Sequence, residues 1–314
     1  MKFNRLKYKN WTNKSNYNLF IIFVLLFITS EAILRMVWGF CDSPLCLSNA
    51  KYEYIYAPNQ HRCRFRKLVN YNKYSQRSEE VNAKKEHILG LGDSVINGGT
   101  LTDQAELATS IFSKETGTQM LNISAGSWGP DNCAAYLKEN GLFNSTAIFL
   151  VVSSHDAHDN MNFMKVVDIH PSYPSKQYKL ATWELLDRFL FPRILRKFQY
   201  TTPDPDAAVS QGIRKKGVPF NPGFDQLKSI AAKAGIPLFV YLHPELVEVK
   251  AGEYNDQGDE IINWAIQNKI ILFKGLELEE EDCFRDEIHM NAIGQRRLAD
   301  SMEKMVGFKK QKGH

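Results

Sequence analysis

Two short blocks in this sequence combine residue types that can do nucleophilic chemistry: Leu89-Gly90-Leu91-Gly92-Asp93-Ser94-Val95 and Asp286-Glu287-Ile288-His289. A hydroxyl near neutral pH is a poor nucleophile and needs a base whose pKa lies near the working pH, a role imidazole suits. A carboxylate three residues upstream can turn back within one short loop to fix the imidazole tautomer and favour its charged form. A serine set directly after a buried strand and before a helix exposes its hydroxyl at the sheet edge, where backbone N–H groups can bind an oxyanion. Alone, Gly-Asp-Ser is a common turn and Asp-x-x-His a common helix start. Together, at opposite ends of one α/β pattern, they read as Ser94 the nucleophile, His289 the general base and Asp286 its orienting partner.

The elements that must position these groups are legible from His87 onward. Apolar runs at His87–Leu91, Gln119–Ile123, Ala147–Val152, Pro237–Leu242 and Ile270–Phe273 read as strands. Amphipathic stretches at Gln104–Glu115, Asn132–Asn140, Asn221–Ala234, Asp256–Asn268 and Ala292–Met305 read as helices. Runs that are apolar throughout fit strands buried on both faces of a parallel sheet. Five strand–helix alternations predict a doubly wound α/β domain whose active residues lie beyond the carboxyl ends of the strands. The interval 160–220 breaks the rhythm with one helix, Ala181–Phe198, and proline-containing loops; so long an insertion is expected to be a lid or binding element. A solvated face is the default reading of Arg188, Arg193, Arg196 and Lys197 on that helix.

Over residues 86–306 the chain resembles the SGNH/GDSL hydrolase superfamily of esterases and acyltransferases: Gly92-Asp93-Ser94 matches its first block and Asp286-x-x-His289 its last. The resemblance implies a flavodoxin-like three-layer α/β/α sandwich with a five-stranded parallel sheet, an acyl-serine intermediate and no cofactor. It also implies that the turn Asn122-Ile-Ser-Ala-Gly126-Ser127 lends a main-chain N–H to the oxyanion hole beside that of Ser94. Gly126 or Ser127 supplies it, with Ser127 favoured by counting from Asn122. The family's third block usually carries an oxyanion-donating Asn; this chain has Ser153-Ser154-His155-Asp156-Ala157-His158-Asp159, which puts His155 in its place. An imidazole N–H can donate the same bond. A metal site is the rival reading of that His/Asp cluster; the expectation is no metal. Asp156, and His243 after the fourth strand, are candidates for the substrate pocket, with a structural role open for His243.

The chain has 314 residues, 44% hydrophobic and 24% charged, which is an ordinary globular composition. Of the net +4, residues 1–18 contribute +5 (Lys2, Arg5, Lys7, Lys9, Lys14, no acid), leaving −1 elsewhere. That balance argues against a nucleic-acid binder. The basic leader precedes an apolar segment, 19–38, long enough to span a membrane if Glu31 and Arg35 neutralise each other at i, i+4. A cleaved signal peptide with a small-x-small site at Ser30-Glu31-Ala32 is the rival. Either way the leader stays inside and the remainder lies outside the cytoplasmic membrane, periplasmic or at the cell surface. Residues 39–85 read as a polar stalk, or an arm packed on the domain, in which Cys41 and Cys46 are close enough in sequence to bridge, with Cys63 a competitor. Residues 86–308 form the hydrolase-like domain. The expected substrate is an O-acyl, chiefly O-acetyl, carbohydrate. Tyr56-Ala-Pro58-Asn59-Gln60 resembles an element of membrane-anchored bacterial members and suggests a cell-envelope polysaccharide. The alternatives are an O-acyltransferase working in a membrane-bound acyl-transfer complex, and a catalytically weakened glycan-binding protein.

Overall fold

The computed structural model describes residues 6–198 and 219–307. Its centre is a five-stranded parallel sheet of β5 (His87–Gly92), β6 (Met120–Ser124), β7 (Ser145–Ser153), β8 (Leu238–His243) and β9 (Ile271–Lys274), in spatial order β6-β5-β7-β8-β9. Counted along the sheet's own strands this is the flavodoxin-like order 2-1-3-4-5, so the chain reverses direction between β5 and β7 and opens a crevice at their carboxyl ends. Each strand lies within two residues of its expected limits at either end. Every residue of β5, β6 and β8 is buried, because helices cover both faces and alternate side chains feed separate cores.

One core gathers Leu89, Leu91, Leu121, Ile123, Leu150, Val240 and Leu242 under α4 (Pro130–Asn140), α7 (Gly223–Ala234) and α9 (Asp256–Gln267). The other gathers Ile88, Met120, Phe149, Val151 and Tyr241 under α3 (Ala108–Thr116) and α10 (Ala292–Val306). The period-two split between neighbours such as Ile88 and Leu89 is the pleat itself. Expected helix starts move slightly. Gln104–Glu106 is a 3-10 turn capped by Asp103 ahead of α3, and α4 begins at Pro130, whose missing N–H costs nothing at a first helical position.

Of the two expectations for residues 39–85, the structure gives the arm packed on the domain. These residues form two antiparallel hairpins, β1 (Cys46–Asn49) with β2 (Glu53–Tyr56) and β3 (Gln60–Arg64) with β4 (Lys67–Tyr71). Tyr52, Tyr54, Ile55, Tyr56, Val69 and Tyr71 enter the larger core. The Tyr54 hydroxyl donates to the Gly126 carbonyl at 2.6 Å and the Trp128 indole to the Tyr54 carbonyl at 2.9 Å. The cysteine bridge is not formed: all five thiols are free, because β1 turns Cys46 fully inward while Cys63 faces out.

The N-terminal helix α1 runs Leu6–Trp38, and its Asn16–Trp38 stretch is long and apolar enough to cross a membrane, with none of that window buried against the protein. Glu31 and Arg35 do pair, at 2.8 Å, but they also hold the insertion. Glu31 accepts from Ala181 N at 2.7 Å and Thr182 N at 3.0 Å, and Arg35 donates to the Lys179 carbonyl at 2.7 Å. The insertion helix is continuous: α5 (Ala181–Leu185), a π turn (Leu186–Leu190) and α6 (Phe191–Phe198). Pro203 and Pro205 of the expected loops lie outside the described residues, as do Lys2 and Arg5 of the leader.

Glu184 is the insertion's inner anchor. Its side chain is wholly buried and accepts from the Arg64 guanidinium (2.6 Å), the Cys41 N–H (2.6 Å) and Arg188 (3.2 Å). Removing one partner of a buried pair strands the other charge, so Glu184→Leu should destabilise the protein by about 3–5 kcal/mol in thermal or chemical denaturation. Glu184→Leu combined with Arg64→Met should recover most of that loss; a double variant no more stable than the single would contradict the pairing.

Candidate active site

The turn that carries Ser94 is shaped by close approach. Gly92 has φ +155°, and a Cβ there would lie 2.6 Å from the Val151 carbonyl, so the last residue of β5 must be glycine. Asp93 then caps the one-turn helix α2 (Ser94–Asn97), its Oδ1 accepting from Val95 N at 2.8 Å. Neighbouring side chains stitch that turn to the end of β6. Asn122 donates to the Ile96 carbonyl (2.8 Å), and Asn97 donates to the Ser124 carbonyl (3.2 Å) and hydroxyl (3.1 Å). Arg77, fully buried, donates to the carbonyls of Asn97, Gly99 (2.5 Å) and Thr102 (2.7 Å). This arginine holds the loop that follows Ser94, and nothing in its sequence context marks it.

The histidine loop closes on itself. Arg285 N donates to the His289 carbonyl at 3.0 Å, and Asp286 Oδ1 accepts from Ile288 N (3.1 Å) and His289 N (2.7 Å). His289 Nδ1 lies 2.9 Å from both Asp286 oxygens, and its Nε2 lies 3.0 Å from Ser94 Oγ. Since a carboxylate can only accept, the proton belongs on Nδ1, which leaves Nε2 free to take the serine proton. Burial works against the Asp286 charge, yet the hydrogen bonds from His289 hold its carboxyl well below the usual range. The structure thus brings Ser94, His289 and Asp286 together in one relay.

His243 is not brought to the cleft. It is fully buried, stacks on Phe284 at 5.3 Å between centroids, and sits between Glu279 on Nδ1 (3.0 Å) and the Ile288 carbonyl on Nε2 (2.7 Å). Burial opposes a charge on this ring, and Glu279 raises its pKa. Its place is beneath the His289 loop, supporting it through Ile288. Asp156 likewise points inward, accepting from Ser153 N at 2.7 Å, and does not line the cleft.

Ser94, Gly126, Ser127, His155 and His289 share the lining of one cleft of about 440 Å³. Among the described residues, no acceptor takes the main-chain N–H of Ser94, Gly126 or Ser127. Gly126 has no room for a side chain, since a Cβ would meet the Tyr173 hydroxyl at 2.5 Å. Ser127 adopts φ +57°, a left-handed conformation that costs a non-glycine residue about 1–2 kcal/mol and tends to cluster at functional turns. His155 is nearly buried, with Nδ1 3.2 Å from Glu245. Burial opposes its charge, but Asp156, Glu245 and Asp93 surround the ring and lift its pKa to about 10. The carboxyl groups around the ring thus favour its protonated form against the burial that opposes it.

Asp93, His155 and Asp156 place one potential ligand atom each within 4.8 Å of one another. Each side chain also serves a hydrogen bond inside the protein, to Val95 N, Glu245 and Ser153 N respectively, while Asp156 Oδ1 is buried with no hydrogen-bond partner. His158 turns away to Glu260 at 3.0 Å. Arg188 does not lie on a solvated face: it lines the cleft, donating to Glu184, Ser43 Oγ (3.2 Å) and the Pro171 carbonyl (2.6 Å). Arg285 lines it too, bonded to Thr102 Oγ1 at 3.0 Å.

No family model matches the sequence, and no curated protein matches it. Similar solved structures include Est24, a carbohydrate acetylesterase from Sinorhizobium meliloti (13% identity, 71% of this chain and 99% of that one, TM-score 0.40). They also include the aryl esterase of M. smegmatis (12% identity, 71% and 99%, TM-score 0.41). A third is a protein from Desulfitobacterium hafniense assigned to the G-D-S-L lipolytic family (10% identity, 70% and 98%, TM-score 0.38). At such identities and scores the likeness decides nothing about chemistry, which rests on the side chains above.

The raised pKa of His155 carries a stability signature. A group with a raised folded pKa contributes fully below its unfolded value, here 6.5, and loses that contribution as pH climbs through about 10. The melting temperature of the wild type should therefore fall from neutral pH toward about 10 more steeply than that of His155→Gln. Parallel curves for the two proteins would mean that the ring is neutral throughout.

Proposed function

We propose that this chain is an extracytoplasmic serine esterase that removes O-acyl groups, chiefly O-acetyl, from a carbohydrate. The observation that carries the reading is the unbroken contact from Ser94 Oγ through His289 to Asp286 at one wall of the cleft. Ser94 Oγ attacks the acyl carbonyl while its proton passes to His289 Nε2, and the ionised Asp286 stabilises the imidazolium so formed. The oxyanion is taken by the N–H groups of Ser94 and of the Gly126–Ser127 turn, with the His155 imidazole beside them. Collapse expels the sugar alkoxide, which leaves with the proton from His289; water then repeats the sequence on the acyl-serine. Aromatic walls from Tyr56, Phe65, Tyr173 and Phe189, interrupted by arginine donors, suit a hydroxylated ring bearing a small acyl group.

α1 serves in this reading as an uncleaved anchor with the leader inside. Supporting it, Glu31 and Arg35 are fastened to backbone of the 179–182 segment, so a cut at Ser30-Glu31-Ala32 would separate Glu31 from the contacts it makes. The intact mass of the membrane-extracted protein should include the residues before Ala32; a mature form lacking them would refute the anchor.

A fluorophosphonate probe tests the chemistry directly on the full-length protein. Labelling should vanish in Ser94→Ala and slow by about 10²–10⁴-fold in His289→Ala, the usual worth of a positioned base. A folded wild-type protein that takes no label would instead be a glycan-binding surface. Release of acetate from an acetylated oligosaccharide, unaffected by added sugar acceptor, is the expected turnover; acyl transfer to the acceptor in its place would replace the hydrolase with a transferase.

A further inference from the structure

The insertion helix presents two unlike faces. Ala181 and Glu184 are buried, and Arg188 and Phe189 reach the cleft. On the other side Trp183, Leu190, Phe191 and Ile194 are 51%, 38%, 39% and 46% exposed, with the Trp183 and Phe191 rings in edge contact at 6.0 Å. Large apolar groups gathered on one side of a surface helix mark an interaction site rather than scattered exposure. What covers them follows from where the helix is tied. Its first turn is bonded to Glu31 and Arg35, inside the stretch of α1 that can span a membrane.

The level can be counted. Trp38, half exposed at the end of α1, is the residue type that rests among headgroups, and the exposed Arg66 guanidinium lies over it at 5.9 Å. Glu31 is seven residues earlier in the helix, hence roughly 10 Å deeper along its axis. An amphipathic helix lying in a membrane surface sinks about 5–10 Å. The attachment at Glu31 therefore pulls the start of the insertion helix to the depth such helices occupy. Lys179, just before the insertion helix, Arg193 on it, and Arg66 over Trp38 are exposed, where anionic phosphates would meet them. Backbone groups of Lys179, Ala181 and Thr182 partner the ion pair at that depth, where a charged pair needs partners, and the Arg35 side chain stays partly exposed.

We propose that the insertion helix is an interfacial membrane element, its Trp183/Leu190/Phe191/Ile194 face resting in the outer surface of the bilayer that α1 crosses. The proposal rests on reading α1 as a span. Because Phe189 of the same helix packs on Phe40 (5.5 Å) and Phe65 (6.3 Å) and lines the cleft, the bilayer surface borders the cleft mouth. Substrate then reaches Ser94 along the membrane plane, which favours an acylated glycan held close to the bilayer.

Full-length protein in phosphatidylcholine/phosphatidylglycerol nanodiscs, with or without lipids brominated near the glycerol end of their chains, gives the test. Difference spectra against Trp183→Phe and Trp38→Phe isolate each indole. The expected result is roughly twofold or greater quenching of both, as befits interfacial residues. Quenching of Trp38 without Trp183 overturns the proposal while leaving the span intact; quenching of neither removes the span reading and the seat with it. A Trp183 signal that is shielded only when two chains share a disc assigns the face to a second copy and also overturns it. Retained fluorophosphonate labelling verifies that Trp183→Phe is folded, and Phe191→Trp in that background provides a second reporter on the same face.

Discussion

The 3.0 Å contact between Ser94 Oγ and His289 Nε2 joins residues 195 positions apart, and most of the buried polar structure serves to keep it. A hydrogen bond of that kind contributes only about 1 kcal/mol by itself. It cannot pull two loops together; the loops must already be there. Sheet order sets them side by side, because β5 lies near the centre and the chain returns past β9 into the loop before α10. Each loop is then pinned from behind, one by Arg77 with Asn97 and Asn122, the other by His243 through the Ile288 carbonyl.

Buried carboxyl groups recur in this molecule as the partners of buried basic side chains. Glu184 faces Arg64 and Arg188, Glu279 faces His243, and Glu245 faces His155. Such pairs are weak sources of stability, since desolvation consumes most of their attraction. Their value here is geometric. A ring held on both nitrogens, by a carboxyl group and a carbonyl, has one orientation, and a guanidinium divided among three carbonyls allows a loop one conformation. Rigidity of that kind supplies the preorganisation a catalytic site requires.

How much of this could be read from the chain depends on the range of the governing interaction. Strands buried on both faces announce themselves as apolar runs, and Ser94, Asp286 and His289 stand at element boundaries that such runs define. The hairpins were hidden because their buried residues are mostly tyrosines, whose hydroxyls suggest exposure until a partner such as the Gly126 carbonyl is known. Whether Cys41 and Cys46 bridge depends on which way β1 faces, which sequence separation does not report. His243 follows a strand at the active edge, as a pocket residue would. Only the acceptors on both its nitrogens reveal a support for the His289 loop. Glu279 has meaning only through the side chains of His243 and Tyr241, and Arg77 only through distant backbone carbonyls, so no local pattern could single them out.

The arm formed by the hairpins and the segment after them has a consequence for where this protein can be divided. Arg77 supplies the groups that organise the carbonyls of Asn97, Gly99 and Thr102, and Tyr54 caps the carbonyl of Gly126. A polypeptide started at the first sheet strand would retain every residue of the relay yet leave those carbonyls without donors and strip tyrosine packing from the larger core. Its reactive centre would be chemically complete and mechanically slack. The smallest autonomous unit therefore begins with the arm.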